Sequence, residues 1–313
     1  MIARGNVDGT FGPATSLGQS DAPTALAAAP DGRTLAVTSG YRAKHFYVDV
    51  RLIAPDGRLG TPRRLGDVGL SAAGSLAVGP DGTVALAYTD PRSAHAQVRA
   101  AVLAPGQKLR VGTVMSGGFA APQIAVGPAG RLAVVATKVT DTGESASYGG
   151  VVVAERKPGA ERFDRPKHAP VTPRSRPYAF GPTVAFDAAG HRVVAWVQDA
   201  KPSDTDGEAE DARGASWSWT GGRPTRLDPS TREITLAGTT RGVLAITDTG
   251  PWQAFLIRPD GARRTSAPQG RASDYATSAD TDRRLLATPA RIVFGFVGIR
   301  PQQINLATAA IHP

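Results

Sequence analysis

The chain has 313 residues and a mass of 32.4 kDa, with 41% hydrophobic and 20% charged residues, which excludes intrinsic disorder and allows one large all-β domain. It has no cysteine, so disulfides and thiolate metal sites are excluded, and no apolar run of the ~18 residues a membrane helix needs. Lys and Arg total 36 against 27 Asp and Glu, a net charge of +9, but the arginines are scattered and no basic run interleaved with aromatics marks a nucleic-acid binder.

In chain order, residues 1–9 carry no apolar stretch and do not read as a signal peptide. Low lysine with abundant Ala, Thr, Gly and Pro suggests a secreted or envelope protein of a GC-rich bacterium, with a leader upstream. A cytoplasmic location is the alternative. The segment Gly9–Gly18 matches Gly57–Gly66 at four positions. The pair Leu26-Ala27 stands five residues before Gly32. An aliphatic–Ala pair recurs at Leu76-Ala77, Ile124-Ala125, Val184-Ala185 and Leu236-Ala237, each five residues ahead of a glycine. A sixth pair, Leu286-Ala287, lacks the glycine. Steps between the alanines are 50, 48, 60, 52 and 50 residues. A tight hairpin needs one residue at positive φ, which glycine supplies without a Cβ clash. After each of the five turns comes an apolar run such as Val84-Ala85-Leu86-Ala87-Tyr88 or Val193-Val194-Ala195-Trp196. These runs do not alternate with polar residues, so they predict strands buried on both faces. Half a period later a second strand–turn–strand unit follows, as in Val48–Gly57, Val98–Pro105 and Phe255–Gly261.

Four short antiparallel strands per ~50-residue unit predict a β-propeller. The alanine column falls on the innermost strand, where neighbouring blades converge. The expected architecture is a single domain, 1–313, of six blades: 21–70, 71–118, 119–174, 175–231, 232–282, and 283–313 completed by 1–20. The N-terminal strand would close the last blade and leave no open edge. Seven blades are the alternative. The segments Ala29-Pro30-Asp31-Gly32-Arg33-Thr34-Leu35-Ala36 and Gly79-Pro80-Asp81-Gly82-Thr83-Val84-Ala85 resemble the Pro-Asp-Gly hairpin of WD40-like repeats in TolB-type propellers. The resemblance implies the fold and no activity.

Searching for chemistry, the five histidines form no metal-binding spacing, and no nucleophile elbow, Walker A loop or dinucleotide fingerprint occurs. Asp90, Asp199 and Asp248 fall near the ends of the second strands of their units, all toward one mouth. They are the catalytic candidates, and their competing role is turn capping. An acidic loop with Asp204, Asp206 and Glu208 is a calcium candidate, set against a solvated loop. The longer connections (39–46, 89–97, 138–149, 198–213, 248–252, 165–181 and 266–283) share one face. Tyr41, Arg42, His45, Arg92, His95, Tyr148 and Trp252 on that rim combine aromatics with arginine and histidine, a mixture suited to a protein or an acidic glycan.

The residues at the funnel entrances, Ala25, Ser75, Gln123, Thr183, Thr235 and Leu285, are not ionisable, which weighs against an enzyme. The expected function is therefore a non-catalytic, monomeric module that binds protein or glycan through the loop face, with no cofactor. The alternatives are a glycan-active hydrolase or lyase at the funnel mouth, and a structural envelope protein.

Overall fold

Every described element but one is a β-strand, the exception being a turn of 3-10 helix at Pro128–Gly130. In this computed structural model the described residues are 16–17, 25–42, 45–67, 75–90, 97–141, 146–170, 178–199, 214–231, 233–247, 253–265, 283–287, 291–297 and 304–310. The strands follow the repeat. The first sheet is β1 (Ala25–Ala28), β2 (Thr34–Arg42), β3 (His45–Ile53) and β4 (Arg63–Asp67), and the second is β5 (Leu76–Val78), β6 (Val84–Asp90), β7 (Gln97–Leu103) and β8 (Arg110–Ser116). The third comprises β9 (Phe119–Val126), β10 (Leu132–Asp141), β11 (Ala146–Arg156) and the two-residue β12 (Lys167–His168). The fourth is β13 (Tyr178–Phe186), β14 (Arg192–Asp199), β15 (Gly214–Trp219) and β16 (Thr225–Thr231), and the fifth β17 (Ile234–Thr239), β18 (Gly242–Thr247), β19 (Gln253–Arg258) and β20 (Gly261–Thr265). Three described strands, β21 (Arg283–Ala287), β22 (Arg291–Val297) and β23 (Ile304–Ala310), make the last. A single parallel bridge, Gly149 to Ala179, joins the third and fourth sheets into one hydrogen-bonded surface.

Successive first strands lie side by side, β1 by β5, β5 by β9, β9 by β13, β13 by β17 and β17 by β21. This is an all-β array whose four-stranded antiparallel sheets resemble propeller blades. The period of two in each second strand explains how they pack. On β6, Val84, Leu86 and Tyr88 join the cluster with Leu35, Val37 and Val50 of the first sheet. Ala85 and Ala87 point the other way, to Leu132, Val134 and Ala136 of the third. On β14, Val194 and Trp196 meet Val135 and Val153 of the third sheet, while Val193, Ala195 and Val197 meet Val243 and Ala245 of the fifth. The second strands β6, β14 and β18 are thus buried on both faces, as their unbroken apolar runs predict. The column alanines Ala27, Ala125, Ala185 and Ala237 are all buried.

Small residues matter most where sheets approach. A Cβ at Gly238 would lie 1.9 Å from the Phe186 carbonyl oxygen, so β17 can reach β13 only with glycine at that position. The predicted hairpin glycines do hold positive φ, 82° at both Gly32 and Gly82. Their aspartates finish the turn. Asp31 and Asp81 accept the backbone N–H of Arg33 and Thr83 at 3.1 and 3.0 Å. The Arg33 N–H, followed by the Arg33 side chain, holds the Asp31 carboxyl below the usual aspartate range.

Three loop expectations need correction, the first being 165–181, where β12 occupies Lys167–His168 and β13 starts at Tyr178. Residues 39–46 and 138–149 are mostly strand: β2 runs to Arg42, β3 starts at His45, β10 runs to Asp141 and β11 starts at Ala146. Cross-strand pairing carries these polar and aromatic residues past the buried core. The bounds expected for the other loop-face connections agree with the strand ends at Asp90, Asp199 and Thr247.

Candidate functional site

The hairpin turns define one end of the array. A Cβ at Gly32 would meet Pro55 at 3.2 Å and one at Gly82 would meet Pro105 at 3.6 Å, so the first and second turns of a sheet share a face. The second strands run away from that face and finish at the opposite one. There they place a set of buried polar residues: Asp90 at 6% exposure, Thr137 at 1%, and Gln198 and Thr247 at 0%. Thr137, Gln198 and Thr247 each follow directly on an apolar run and Asp90 follows one after Thr89, but of these only Asp90 stood out in the sequence, as an ionisable group. Burying a polar group costs about 1–3 kcal/mol unless it is satisfied, so each partner matters. Asp90 Oδ2 accepts from the Arg99 guanidinium at 3.0 Å, from the neighbouring strand β7. Gln198 Oε1 accepts from the Trp196 indole at 3.3 Å. Thr247 Oγ1 has no hydrogen-bond partner among the described residues.

Of the predicted catalytic carboxylates, Asp90 is thus a buried, ion-paired group at the expected strand end. Asp199 is the last residue of β14, opposite Tyr178 at the start of β13. Asp248 lies outside the described residues, directly after Thr247. On the rim, the backbone brings Tyr41, Arg42 and His45 together at the tip of one hairpin, where Arg42 pairs with His45 and Tyr41 with Phe46. Tyr148 is in β11 opposite Val139. Arg92, His95 and Trp252 lie outside the described residues, as do Asp204, Asp206 and Glu208 of the calcium candidate. No group of three or more His, Asp or Glu among the described residues is placed to hold a metal ion. No helix among them is long and apolar enough to cross a membrane.

Two further ionic features escaped the sequence reading. Asp228 on the outer strand β16 is 2% exposed. Its Oδ1 accepts the Ser230 N–H at 2.9 Å, and its Oδ2 has no partner among the described residues. At the turn face, Glu155 of the third sheet accepts from Arg131 at 2.7 Å and from Arg192 of the fourth sheet. Arg192 also lies over the Trp219 ring, 4.7 Å from its centroid. Burial lowers the Arg192 pKa and the Glu155 charge opposes that shift. These are contacts between residues far apart in the chain, which no local pattern encodes.

No protein-family model and no characterised protein matches the sequence. Solved structures do resemble its fold. An α-L-arabinanase from Penicillium chrysogenum superposes with a TM-score of 0.54 at 11% identity, covering 91% of this chain and 92% of that one. An α-L-arabinofuranosidase from Fusarium graminearum gives 0.51 at 13% identity, covering 92% and 91%. The acylaminoacyl peptidase of Pyrococcus horikoshii gives 0.52 at 12% identity over 91% of this chain. This chain spans only 44% of the peptidase's length. All three are enzymes by name, and none is named as a WD40 or TolB protein. The expectation of a WD40-like, non-catalytic binding module is corrected accordingly: the Pro-Asp-Gly segments describe a turn and two strands, and the company the fold keeps is catalytic. The funnel entrances carry no ionisable residue, whereas the end of the second strand β6 carries the buried Asp90.

Proposed function

We propose that the protein is a glycan-active hydrolase, with its chemistry at the loop face where the second strands end. The observation that carries this reading is Asp90, a carboxylate withdrawn from solvent at that mouth and charge-compensated by Arg99 at 3.0 Å. The α-L-arabinanase and the α-L-arabinofuranosidase, each aligned over 91–92% of both chains, support it. Glycoside hydrolysis needs a pair of carboxylates, one giving a proton to the leaving oxygen and one acting as base or nucleophile. Asp90 with Arg99 suits the second role, since the guanidinium supports a negative charge. Asp199, or Asp248 from the neighbouring sheet, takes the first. Tyr41, Arg42, His45 and Tyr148 are assigned to positioning the sugar chain, together with Arg92, His95 and Trp252 from their loop positions in the sequence, and the positive surplus favours an acidic polymer met outside the cell.

The scaffold in this reading is one domain of six blades, the last completed by residues 1–20. Leu17 supports it. Leu17 is 6% exposed and packs with Ala36, Ile53 and Leu59, and Ala36 faces away from the second sheet, where the last blade would dock.

The test is release of reducing ends from arabinan, xylan, pectic and sulfated polymers, with the ultraviolet absorbance of unsaturated ends read in parallel to detect a lyase. Asp90→Asn and Asp199→Asn should each lower turnover by about 10²–10⁴-fold with thermal stability monitored alongside. Absence of turnover across the panel, or full activity in both variants, overturns the reading.

A further inference from the structure

A cavity of about 280 Å³ opens between the second hairpins of the fourth and fifth sheets, at the turn face and therefore at the opposite end from the carboxylates. It lies just below the usual range for drug-sized ligand cavities, about 300–1,000 Å³, a size for a small ligand. Its lining is strongly polar. Thr220, Arg223 and Thr225 come from the β15–β16 hairpin, and Arg258 and Asp260 from the β19–β20 hairpin. Ser218, 3% exposed, forms part of its floor. The floor is rigid: the Ser218 hydroxyl donates to the Thr225 carbonyl at 3.5 Å, and the Trp219 indole to the Gly222 carbonyl at 2.9 Å. Arg258 lines the cavity and is anchored through Nε to the Arg241 carbonyl at 2.9 Å, which fixes the plane of its guanidinium. Arg223 is exposed on the facing turn.

Two guanidiniums against one carboxylate leave the cavity one positive charge in excess. The hydroxyls of Thr220 and Thr225 and the Asp260 carboxylate supply neutral donors and additional acceptors around it. A bare anion would use the arginines and leave the rest idle, and a neutral sugar would leave the charge uncompensated. We infer that this cavity binds a single sugar ring carrying one carboxylate, a hexuronate, held by Arg223 and Arg258 at the carboxylate and by the threonine hydroxyls and Asp260 at the ring hydroxyls. It is a second site, separate from the loop face, and it does not depend on catalysis there.

Isothermal titration of the full chain with D-glucuronate, D-glucose and sulfate tests the inference. Glucuronate should bind, with glucose and sulfate each at least tenfold weaker. Arg223→Ala, at an exposed turn where folding is not at stake, should weaken glucuronate at least tenfold, and Thr225→Val several-fold. Asp90→Asn and Asp199→Asn should leave this binding unchanged, and Arg223→Ala should leave turnover of a polymer unchanged, so failure here and failure of the hydrolase reading are separate results. Glucose or sulfate binding as tightly as glucuronate, no binding of glucuronate, or unaltered affinity in Arg223→Ala overturns the inference.

Discussion

At the residue scale, two alanines hold a left-handed backbone that costs an L-residue about 1–2 kcal/mol. Ala121, at φ 48°, precedes the buried Pro122 at a bulge in β9, and Gly181, at φ 55°, precedes Pro182 at the matching bulge in β13. Proline cannot donate to a ladder and is tolerated in strands at such bulges. The two sheets therefore share one device, built with glycine in one and alanine in the other. Ala129, at φ 54°, occupies the turn position that Asp31 and Asp81 fill elsewhere. With no carboxylate there, Arg131 N–H turns to the Pro128 carbonyl at 3.2 Å. Ala121→Gly should relieve the strain and stabilise the protein by about 0.5–1 kcal/mol after the entropy that glycine adds to the unfolded chain is set against it. The check is a rise in the urea midpoint at constant slope, and a fall would show that the bulge is not left-handed in solution.

At the scale of elements, the junction between the third and fourth sheets is ionic at one end and apolar in the middle. Val135, Val153, Val194 and Trp196 fill the middle, and Glu155 holds Arg131 and Arg192 at the turn face. The Arg192 side chain is 8% exposed and that of Glu155 20%. Breaking a buried pair leaves an uncompensated charge and costs about 3–5 kcal/mol. Because Glu155 is partly wet, Glu155→Ala should cost about 3 kcal/mol, the lower end of that range. A double-mutant cycle with Arg192→Met should return most of the loss as coupling. A cycle showing no coupling would mean that the arginine is held by Trp219 alone.

At the scale of the whole molecule, the first sheet needs a partner on its outer face, because Ala36 at 1% and Ile53 at 7% exposure point there. Leu17 covers them, and burying a leucine is worth about 1.5–3 kcal/mol. Leu17→Asp should destabilise the entire protein by at least that amount, and removal of residues 1–20 should lower the melting temperature, with recovery when the missing segment is supplied as a peptide. Unchanged melting in both would separate the N-terminal segment from the rest of the fold.

The repeat, the period of its alanines, the hairpin glycines and the double burial of the second strands were all legible in the chain, because each is a pattern of backbone conformation or apolar spacing within about ten neighbouring residues. Asp90 was legible for the same reason, as a polar stop on an apolar strand. Its salt bridge to Arg99 was not, and neither were the extended hairpin that carries Tyr41, Arg42 and His45, or the buried Asp228. The tertiary structure alone decided which distant residues meet. Arg131 reaches Glu155 across 24 residues and the Gly190 carbonyl across 59. The cavity holding Arg223 and Arg258 exists only because two separate hairpins are set side by side. Local sequence determines each strand and turn through its own dihedral preferences and its own apolar face. The charges between sheets find partners only once packing has brought the sheets together, as Glu155 does with Arg192.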